Sequence, residues 1–169
     1  TEGKEWMPQT SKTENTIQFN YFMGDQLINV KYRDGRKNFK LYKGAEKVFY
    51  NINSIVGYDW CVIVEGEMDV LALHEAGIKN VISVPNGATL NSNNLDYLDN
   101  CIDYFEDKTK IILAVDADEP GQALKHELIR RLGAEACYTV DFAGCKDAND
   151  YLIEHDADML RSAIHAAKQ

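Results

Sequence analysis

Four carboxylates of this chain follow short apolar runs, within the segments VEGEMD, VDADEPG and KDAND. They are Glu65, Asp116, Asp118 and Asp147. Carboxylate oxygens with no His or Cys beside them are the ligands that hard divalent ions prefer. Several carboxylates brought together also raise one another's pKa unless a cation lies among them. The residue types therefore predict a site for Mg²⁺ or Mn²⁺, and such an ion suits phosphate chemistry because it neutralises charge on phosphate oxygens.

Glu65 differs from the other acids because Gly66 follows it directly. At the end of a strand its side chain would project into a crevice, and Gly66 would allow a ligand to approach the backbone closely. A carboxylate held beside a metal ion can act as a general base or acid. Glu67 and Asp69 fall in the first turn of a predicted helix, where the helix dipole favours an acid. We expect Asp69 to support the site and Glu67 to favour the helix start.

The acids follow strands of a predicted parallel sheet. Its four strands are the continuously apolar runs CVIV (61–64), NVISV (80–84), IILAV (111–115) and ACYTVDF (136–142). Such runs are typical of strands covered on both faces, and their alternation with helical patterns indicates right-handed β-α-β crossovers. Ligands bind at the carboxyl ends of the strands in these sheets. The predicted fold class is α/β, with a four-stranded parallel sheet flanked by helices and the acids gathered at one edge.

Helical patterns occupy the segments between and after these runs. They are MDVLALHEAG, NNLDYLDNCIDYF, GQALKHELIRRLG and a closing segment that contains Leu160 and Ile164. The second pattern predicts one continuous helix whose apolar stripe consists of Leu95, Leu98, Ile102 and Phe105.

The first third of the chain has a different hydrophobic pattern. IQFNYF, QLINVKY and NFKLY alternate apolar with polar residues, and the Asp-Gly in KYRDGRKNF is a hairpin signal. These patterns predict a small basic antiparallel subdomain over residues 17–58, after a flexible lead-in over residues 1–16. The catalytic domain is expected to occupy residues 59–169.

The net charge of −9 is divided unevenly between these parts. Nine bases and six acids give residues 1–58 a charge of +3, which leaves −12 on the remainder. Lys31, Arg33 and Lys40 fall at alternate positions of the second and third strands and, together with Lys43, predict a basic face that contacts nucleic-acid phosphates. The alternative is a solvated outer face on which lysines protect an edge strand from aggregation.

Composition favours a globular protein of the reducing cytoplasm. No apolar run approaches the roughly 20 residues that span a bilayer, and the polar N-terminal segment lacks the features of a secretory signal. The cysteines are widely scattered, without a Cys-x-x-Cys pair or zinc-binding His spacing; they are Cys61, Cys101, Cys137 and Cys145. We expect free thiols and no zinc site in this chain.

In order and spacing, VIVEGEMDVLAL, LAVDADEPGQAL and KDANDYL resemble the three signature segments of the Toprim domain, a catalytic fold shared by topoisomerases, DnaG-type primases and several nucleases. The resemblance covers residues 60 to about 155 and is strongest to the primase part of phage and mitochondrial primase-helicases. Residues 17–58 resemble, more loosely, the small subdomain before Toprim in those proteins. Pro120-Gly121 replaces the Ala-Gly of many members, which the first turn of a helix tolerates.

This resemblance implies a DNA-dependent RNA primase that makes short primers on single-stranded DNA from ribonucleoside triphosphates, with two Mg²⁺ or Mn²⁺ ions. The implied metal ligands are Glu65, Asp116, Asp118 and Asp147. Glu65 matches the residue proposed as general base in the family. Lys146 and Asn149 match phosphate or nucleotide contacts, and Lys146 is counted with the catalytic residues.

Other parts of a primase-helicase are not recognisable in this sequence, which has neither a zinc-binding template module nor a Gly-x-x-x-x-Gly-Lys-Ser/Thr phosphate loop. We expect a piece of a longer protein with such modules elsewhere, acting in a bacterial or phage-infected cell. Two alternatives remain: a Toprim-type metal-dependent nuclease and a non-catalytic nucleic-acid-binding Toprim module. Three aromatic residues could stack on bases or pack in the core; they are Tyr32, Phe39 and Tyr42.

Overall fold

The computed structural model describes residues 1–88 and 95–169, in which two four-stranded sheets account for the strands. The antiparallel sheet has the order β1-β2-β3-β4, formed by β1 (Glu2–Met7), β2 (Lys12–Met23), β3 (Gln26–Asp34) and β4 (Phe39–Leu41). The parallel sheet has the order β6-β5-β7-β8, formed by β5 (Trp60–Val64), β6 (Val81–Ser83), β7 (Lys110–Leu113) and β8 (Cys137–Thr139). The predicted α/β class and four-stranded parallel sheet are confirmed.

Helices cover both faces of the parallel sheet. They are α1 (Glu67–Glu75), α2 (Asp96–Asp99), α3 (Glu119–Leu132), α4 (Ala148–Glu154) and α5 (Ala157–His165). On one face Ile63 and Leu113 pack with α2, α3 and residues of β2, whereas on the other face Val62 packs with α1, α4 and α5. Two apolar clusters therefore hold the central strands. In the described residues, no helix is both long and apolar enough to cross a bilayer.

The first sixteen residues form a hairpin where a flexible lead-in was expected. β1 pairs with β2 from Glu2 opposite Ile17 to Met7 opposite Lys12, and Met7 is fully buried. The sequence pattern does not reveal this hairpin because its residues are mostly polar and exposed, so no apolar period marks its strands. The expectation that order begins near residue 17 is therefore wrong, while the boundary near residue 58 stays a prediction.

The second helical pattern is broken into two short pieces in the described residues. Its first two residues, 93 and 94, lie outside the described part of the chain. After α2, a 3-10 turn covers Ile102–Phe105, and the backbone at Cys101 leaves the helical region. The break rotates the second piece, so Phe105 is buried while Ile102 is 45% exposed. The prediction of one helix with Ile102 on its apolar stripe is therefore wrong.

A buried ion pair joins the antiparallel sheet to the parallel one. The ammonium of Lys31, on β3, lies 2.8 Å from a carboxylate oxygen of Glu67, in the first turn of α1. It also donates to the Pro85 carbonyl at 2.9 Å, and the Tyr21 hydroxyl donates to the same Glu67 oxygen. Burial and the neighbouring Glu67 charge hold the pKa of Tyr21 well above its usual value, so it remains a donor. A charge pair removed from water is tolerated only when such additional bonds satisfy it.

We expect Lys31→Met to lower the free energy of unfolding by about 3–5 kcal/mol, because it leaves the buried Glu67 carboxylate without its cation. Denaturant unfolding followed by circular dichroism measures this change. The matched control is Lys43→Met, at an exposed position, which should change stability by less than about 0.5 kcal/mol. The double variant Lys31→Met/Glu67→Met should recover part of the loss. A single Lys31 variant as stable as the unaltered protein would contradict the assigned role.

Gly121 is required where α3 begins, because the helix backbone packs directly on the loop after β7. A Cβ atom at this position would lie 2.2 Å from the Asp116 carbonyl oxygen and 2.5 Å from Glu65 Oε1. Gly121→Ala should therefore displace the loop or the helix start and destabilise the fold by about 1–3 kcal/mol. Gly35→Ala is the control, since no atom lies within 4 Å of its added carbon. Equal melting temperatures for the two variants would refute this packing argument.

Candidate metal centre

Three of the four predicted ligands, Glu65, Asp116 and Asp147, line a cavity of about 460 Å³ at the carboxyl ends of the parallel strands. This volume is within the range of small-molecule sites. The cavity is formed because β5 and β7 run in parallel, with Ile63 opposite Leu113, so their C-terminal residues emerge at the same edge. A larger cavity of about 590 Å³ lies on the antiparallel sheet, among residues of β1, β2 and β3. None of the four predicted ligand carboxylates lines the larger cavity, so we assign the candidate site to the smaller one.

Three of the four predicted ligands come together. Glu65, Asp116 and Asp118 each offer a carboxylate oxygen, and these oxygens all lie within 4.8 Å of one another. Asp147 lines the same cavity but is not part of this cluster. All of the donors are oxygen atoms, and among the described residues that line the cavity there is no His or Cys. The set therefore suits a hard divalent ion such as Mg²⁺ or Mn²⁺.

Glu65 is held in place by backbone N–H groups from two neighbouring loops. Its Oε1 accepts from the Asp116 N–H at 3.0 Å, and its Oε2 accepts from the Ala88 N–H at 3.2 Å. The pKa of Glu65 is raised to about 7, mainly by burial and to a lesser extent by the nearby Asp116 charge. A carboxyl group with this pKa can both take up and release a proton near neutral pH, as a general base requires.

Asp116 is the most enclosed acid of the cluster, and Lys146 partly neutralises it. Burial raises the pKa of Asp116, while the Lys146 ammonium, 2.8 Å from Asp116 Oδ2, opposes the shift. The Ala117 N–H donates to the Lys146 carbonyl at 3.1 Å, which ties the loop after β7 to the loop before α4. The Lys146 side chain is still 56% exposed. It can therefore offer its remaining donors to an anionic ligand.

Asp118 and Asp147 each cap a helix as well as facing the site. Asp118 Oδ1 accepts from the Gly121 N–H at 3.0 Å at the start of α3, and Asp147 Oδ1 accepts from the Asp150 N–H at 2.8 Å at the start of α4. Each cap uses one carboxylate oxygen and leaves the other available. Capping alone would explain the residue type at these positions, so the metal-binding role of Asp147 stays a prediction.

Asp69 supports the site from α1. Its Oδ1 accepts from the Asn149 N–H at 3.1 Å, which joins α1 to the start of α4. The pKa of Asp69 is raised to about 7, mainly by burial and to a lesser extent by the nearby Asp147 charge. Gly66 lines the cavity, and a Cβ atom there would lie 3.1 Å from Asp69 Oδ2. The close packing of these residues leaves little room for a larger side chain at Gly66.

The predicted basic face is divided between the two sides of the antiparallel sheet. The register places Arg33 opposite Phe39 and Lys40 opposite Tyr32, and residues directly opposite share a face. Lys40 therefore points away from Lys31 and Arg33, and it pairs with Glu5 at 2.6 Å. Alternation along the sequence could not show this, because the hairpin loop sets the register. The prediction of one face shared by these bases is wrong; Lys43 lies beyond β4 and is exposed.

Sequence reasoning missed the buried network at Glu67, which was expected only to favour a helix start. Glu67 is 3% exposed and accepts from Lys31 and Tyr21. It also missed the loop after β6, where the Pro85 carbonyl and the Ala88 N–H contact site residues. Every residue has a backbone carbonyl, and nearly every residue a backbone N–H, so residue types do not indicate which backbone groups contact the site. The Lys31–Glu67 pairing likewise requires knowledge of how the two sheets pack.

Comparison with known proteins agrees with this geometry. Residues 62–152 match the family described as Toprim-like, which is more than half of the chain. A primase homolog protein of Arabidopsis thaliana is 38% identical over 168 aligned residues, covering 89% of this chain and 50% of the relative. The Twinkle homolog protein, chloroplastic/mitochondrial, of the same plant is 34% identical, covering 89% of this chain and 24% of the relative. The chain thus spans about half the length of the first relative and about a quarter of the second.

The structural comparison concerns the fold alone. The primase fragment of the bacteriophage T7 primase-helicase protein superposes with a TM-score of 0.78 at 24% identity, covering 90% of this chain and 63% of that one. The described sheet order, the convergence of acids at its carboxyl edge and the family match over residues 62–152 lead to the same conclusion. The protein belongs to the Toprim-like family.

Proposed function

We propose that this chain is the catalytic core of a DNA-dependent RNA primase and one piece of a longer primase or primase-helicase. It would join the 3′-hydroxyl of one ribonucleotide to the α-phosphate of the next on a single-stranded DNA template. The observation that carries the proposal is the convergence of the carboxylate oxygens of Glu65, Asp116 and Asp118 to within 4.8 Å of one another, with Lys146 in contact with Asp116. Similarity to a plant protein named a primase homolog supports the reaction class.

The residues of the cavity fit divalent metal ions. Glu65, Asp116 and Asp118 would hold one ion, and Asp147, which lines the cavity together with Glu65 and Asp116, is proposed to complete the set for a second. Burial raises the pKa of Glu65 and of Asp116, so their ionised forms are disfavoured unless a cation lies among them. A bound Mg²⁺ or Mn²⁺ would supply charge neutralisation on phosphate oxygens.

The protein groups have separate proposed roles in this reaction. Glu65, fixed by two backbone N–H groups, would take the proton of the attacking hydroxyl. Lys146, half-exposed beside Asp116, would contact phosphate oxygens of the nucleotide, with Asn149 nearby. Arg33 and Lys43 are the proposed contacts to template phosphates, since Lys31 and Lys40 already pair with carboxylates.

The cell in which this reaction would take place is also a proposal. One relative is named as chloroplastic/mitochondrial, which adds a plant organelle to the expected bacterial or phage-infected cell. Zinc-binding and helicase modules are proposed for the remainder of the longer protein.

Asp116→Asn should reduce metal-dependent dinucleotide synthesis at least about 100-fold, because it removes a charged ligand from the cluster. Synthesis from ribonucleoside triphosphates on a single-stranded template is measured together with Mn²⁺ affinity by calorimetry. Asp103→Asn, at an exposed position outside the cavity, is the matched control and should retain full activity and affinity.

Three outcomes would overturn parts of this proposal. Normal synthesis by the Asp116 variant would refute the assigned metal ligand. Shortening of labelled strands with Mn²⁺ in the absence of nucleotides would establish a nuclease instead. No measurable Mg²⁺ or Mn²⁺ binding by the unaltered chain would favour a non-catalytic binding module.

Metal affinity should rise with pH across the neutral range. The pKa of Glu65 is raised to about 7, so this ligand is mostly protonated at pH 6 and mostly ionised at pH 8. We expect about a tenfold increase in Mn²⁺ affinity between these values, measured by calorimetry at constant ionic strength. Glu65→Gln should bind more weakly and lose most of this dependence. A flat profile for the unaltered protein would contradict the raised pKa.

A further inference from the structure

A second group of metal-ligating side chains lies outside the carboxylate cluster. Cys145, Glu154 and His155 each offer one ligand atom, and these atoms all lie within 4.8 Å of one another. Cys145 precedes α4 and is buried, whereas Glu154 ends α4 and is exposed, as is His155. We call this group the Cys-Glu-His cluster. The proposed priming reaction uses none of its side chains.

The spacing of the Cys-Glu-His cluster is close to that of a tetrahedral zinc site. With Zn–S near 2.3 Å and Zn–N or Zn–O near 2.0–2.1 Å, ligand atoms of such a site lie about 3.3–3.6 Å apart. Cys145 Sγ and Glu154 Oε2 are already 3.4 Å apart. The remaining separations, at most 4.8 Å, would close by rotation of the exposed Glu154 side chain and a small shift of the His155 ring.

The position of the His155 ring also favours ligation. Its centroid lies 4.3 Å from the Tyr151 ring, which in turn contacts Phe142 at 5.7 Å. Tyr151 and Phe142 are both buried, so packing against this pair restrains the imidazole near the thiol. Ordered ligands lose less side-chain entropy when a metal binds than freely rotating ones.

The donor atoms select a softer ion than the carboxylate cluster does. Sulfur, nitrogen and oxygen donors together suit Zn²⁺, whereas Mg²⁺ avoids thiolate. Three protein ligands leave a fourth position open, as in zinc sites that exchange ligands with solvent. On binding, the Cys145 thiol would lose its proton to solvent and form the metal–sulfur bond in its place.

We propose that Cys145, Glu154 and His155 form a zinc site. Lys146 and Asp147 follow Cys145 directly, so an ion held there would restrain the turn that places Lys146 beside Asp116. The sequence shows no zinc-binding spacing, which is why no such site was expected. Cys145 and His155 lie on opposite sides of α4 in the sequence, and only the fold brings them together.

The test is a titration of the metal-free chain with Co²⁺, which replaces Zn²⁺ and reports its ligands by absorption. We expect a thiolate-to-cobalt charge-transfer band that saturates at one equivalent and disappears when Zn²⁺ is added. Cys145→Ser should abolish the band, and His155→Ala should weaken Co²⁺ affinity at least tenfold. His126→Ala, an exposed histidine on α3, is the control and should behave as the unaltered chain.

The possible results separate clearly. Absence of a thiolate band in the unaltered chain, or its persistence in Cys145→Ser, would overturn the proposal, as would equal affinities for the His155 and His126 variants. His155 is exposed, so its variant keeps the test decisive even if the buried Cys145 substitution impairs folding. Asp116→Asn should lose Mn²⁺ affinity but keep the cobalt band, so the zinc site and the proposed priming function can fail independently.

Discussion

The structure depends on how negative charge is accommodated at one buried edge of the parallel sheet. Each acid there has a different compensating group. Backbone N–H groups bind Glu65, the Lys31 ammonium binds Glu67, and Lys146 binds Asp116. This compensation is incomplete, because burial and neighbouring charge still raise the pKa of Glu65 to about 7. A bound cation would favour the ionised form of these acids, so this edge of the sheet is suited to bind cations.

The same requirement explains why the antiparallel sheet is joined so closely to the parallel one. Lys31 reaches from β3 to Glu67, and the Tyr21 hydroxyl from β2 reaches the same carboxylate. Lys31, Phe39 and Leu41 also line the cavity that contains the acids. The antiparallel sheet thus forms one wall of the candidate site. A substitution at its lysine is expected to affect both stability and the shape of the cavity.

Several side chains at this edge serve the fold and the site together. Asp118 and Asp147 cap α3 and α4 with one oxygen each, and Asp69 joins α1 to the start of α4. Gly121 lets α3 pack against the loop that carries Asp116. Because these residues have structural partners of their own, their positions are set before any ligand binds. Preorganised ligands of this kind reduce the cost of ordering a site around an ion.

The residue order alone was sufficient for the fold class and for the edge at which the acids gather. Continuous apolar runs identify buried parallel strands, and residues that follow such strands must emerge together, so Glu65 and Asp116 could be placed without coordinates. Tertiary structure decided what depends on register and packing. The strand register places Lys40 on the opposite face from Lys31, and the packing of the two sheets pairs Lys31 with Glu67. The N-terminal hairpin was not predicted because its residues are mostly polar and show no apolar period. Only the Lys31–Glu67 pair joins residues distant in sequence, but neither that pairing nor the register of the two hairpins is encoded by a local period or by residue type.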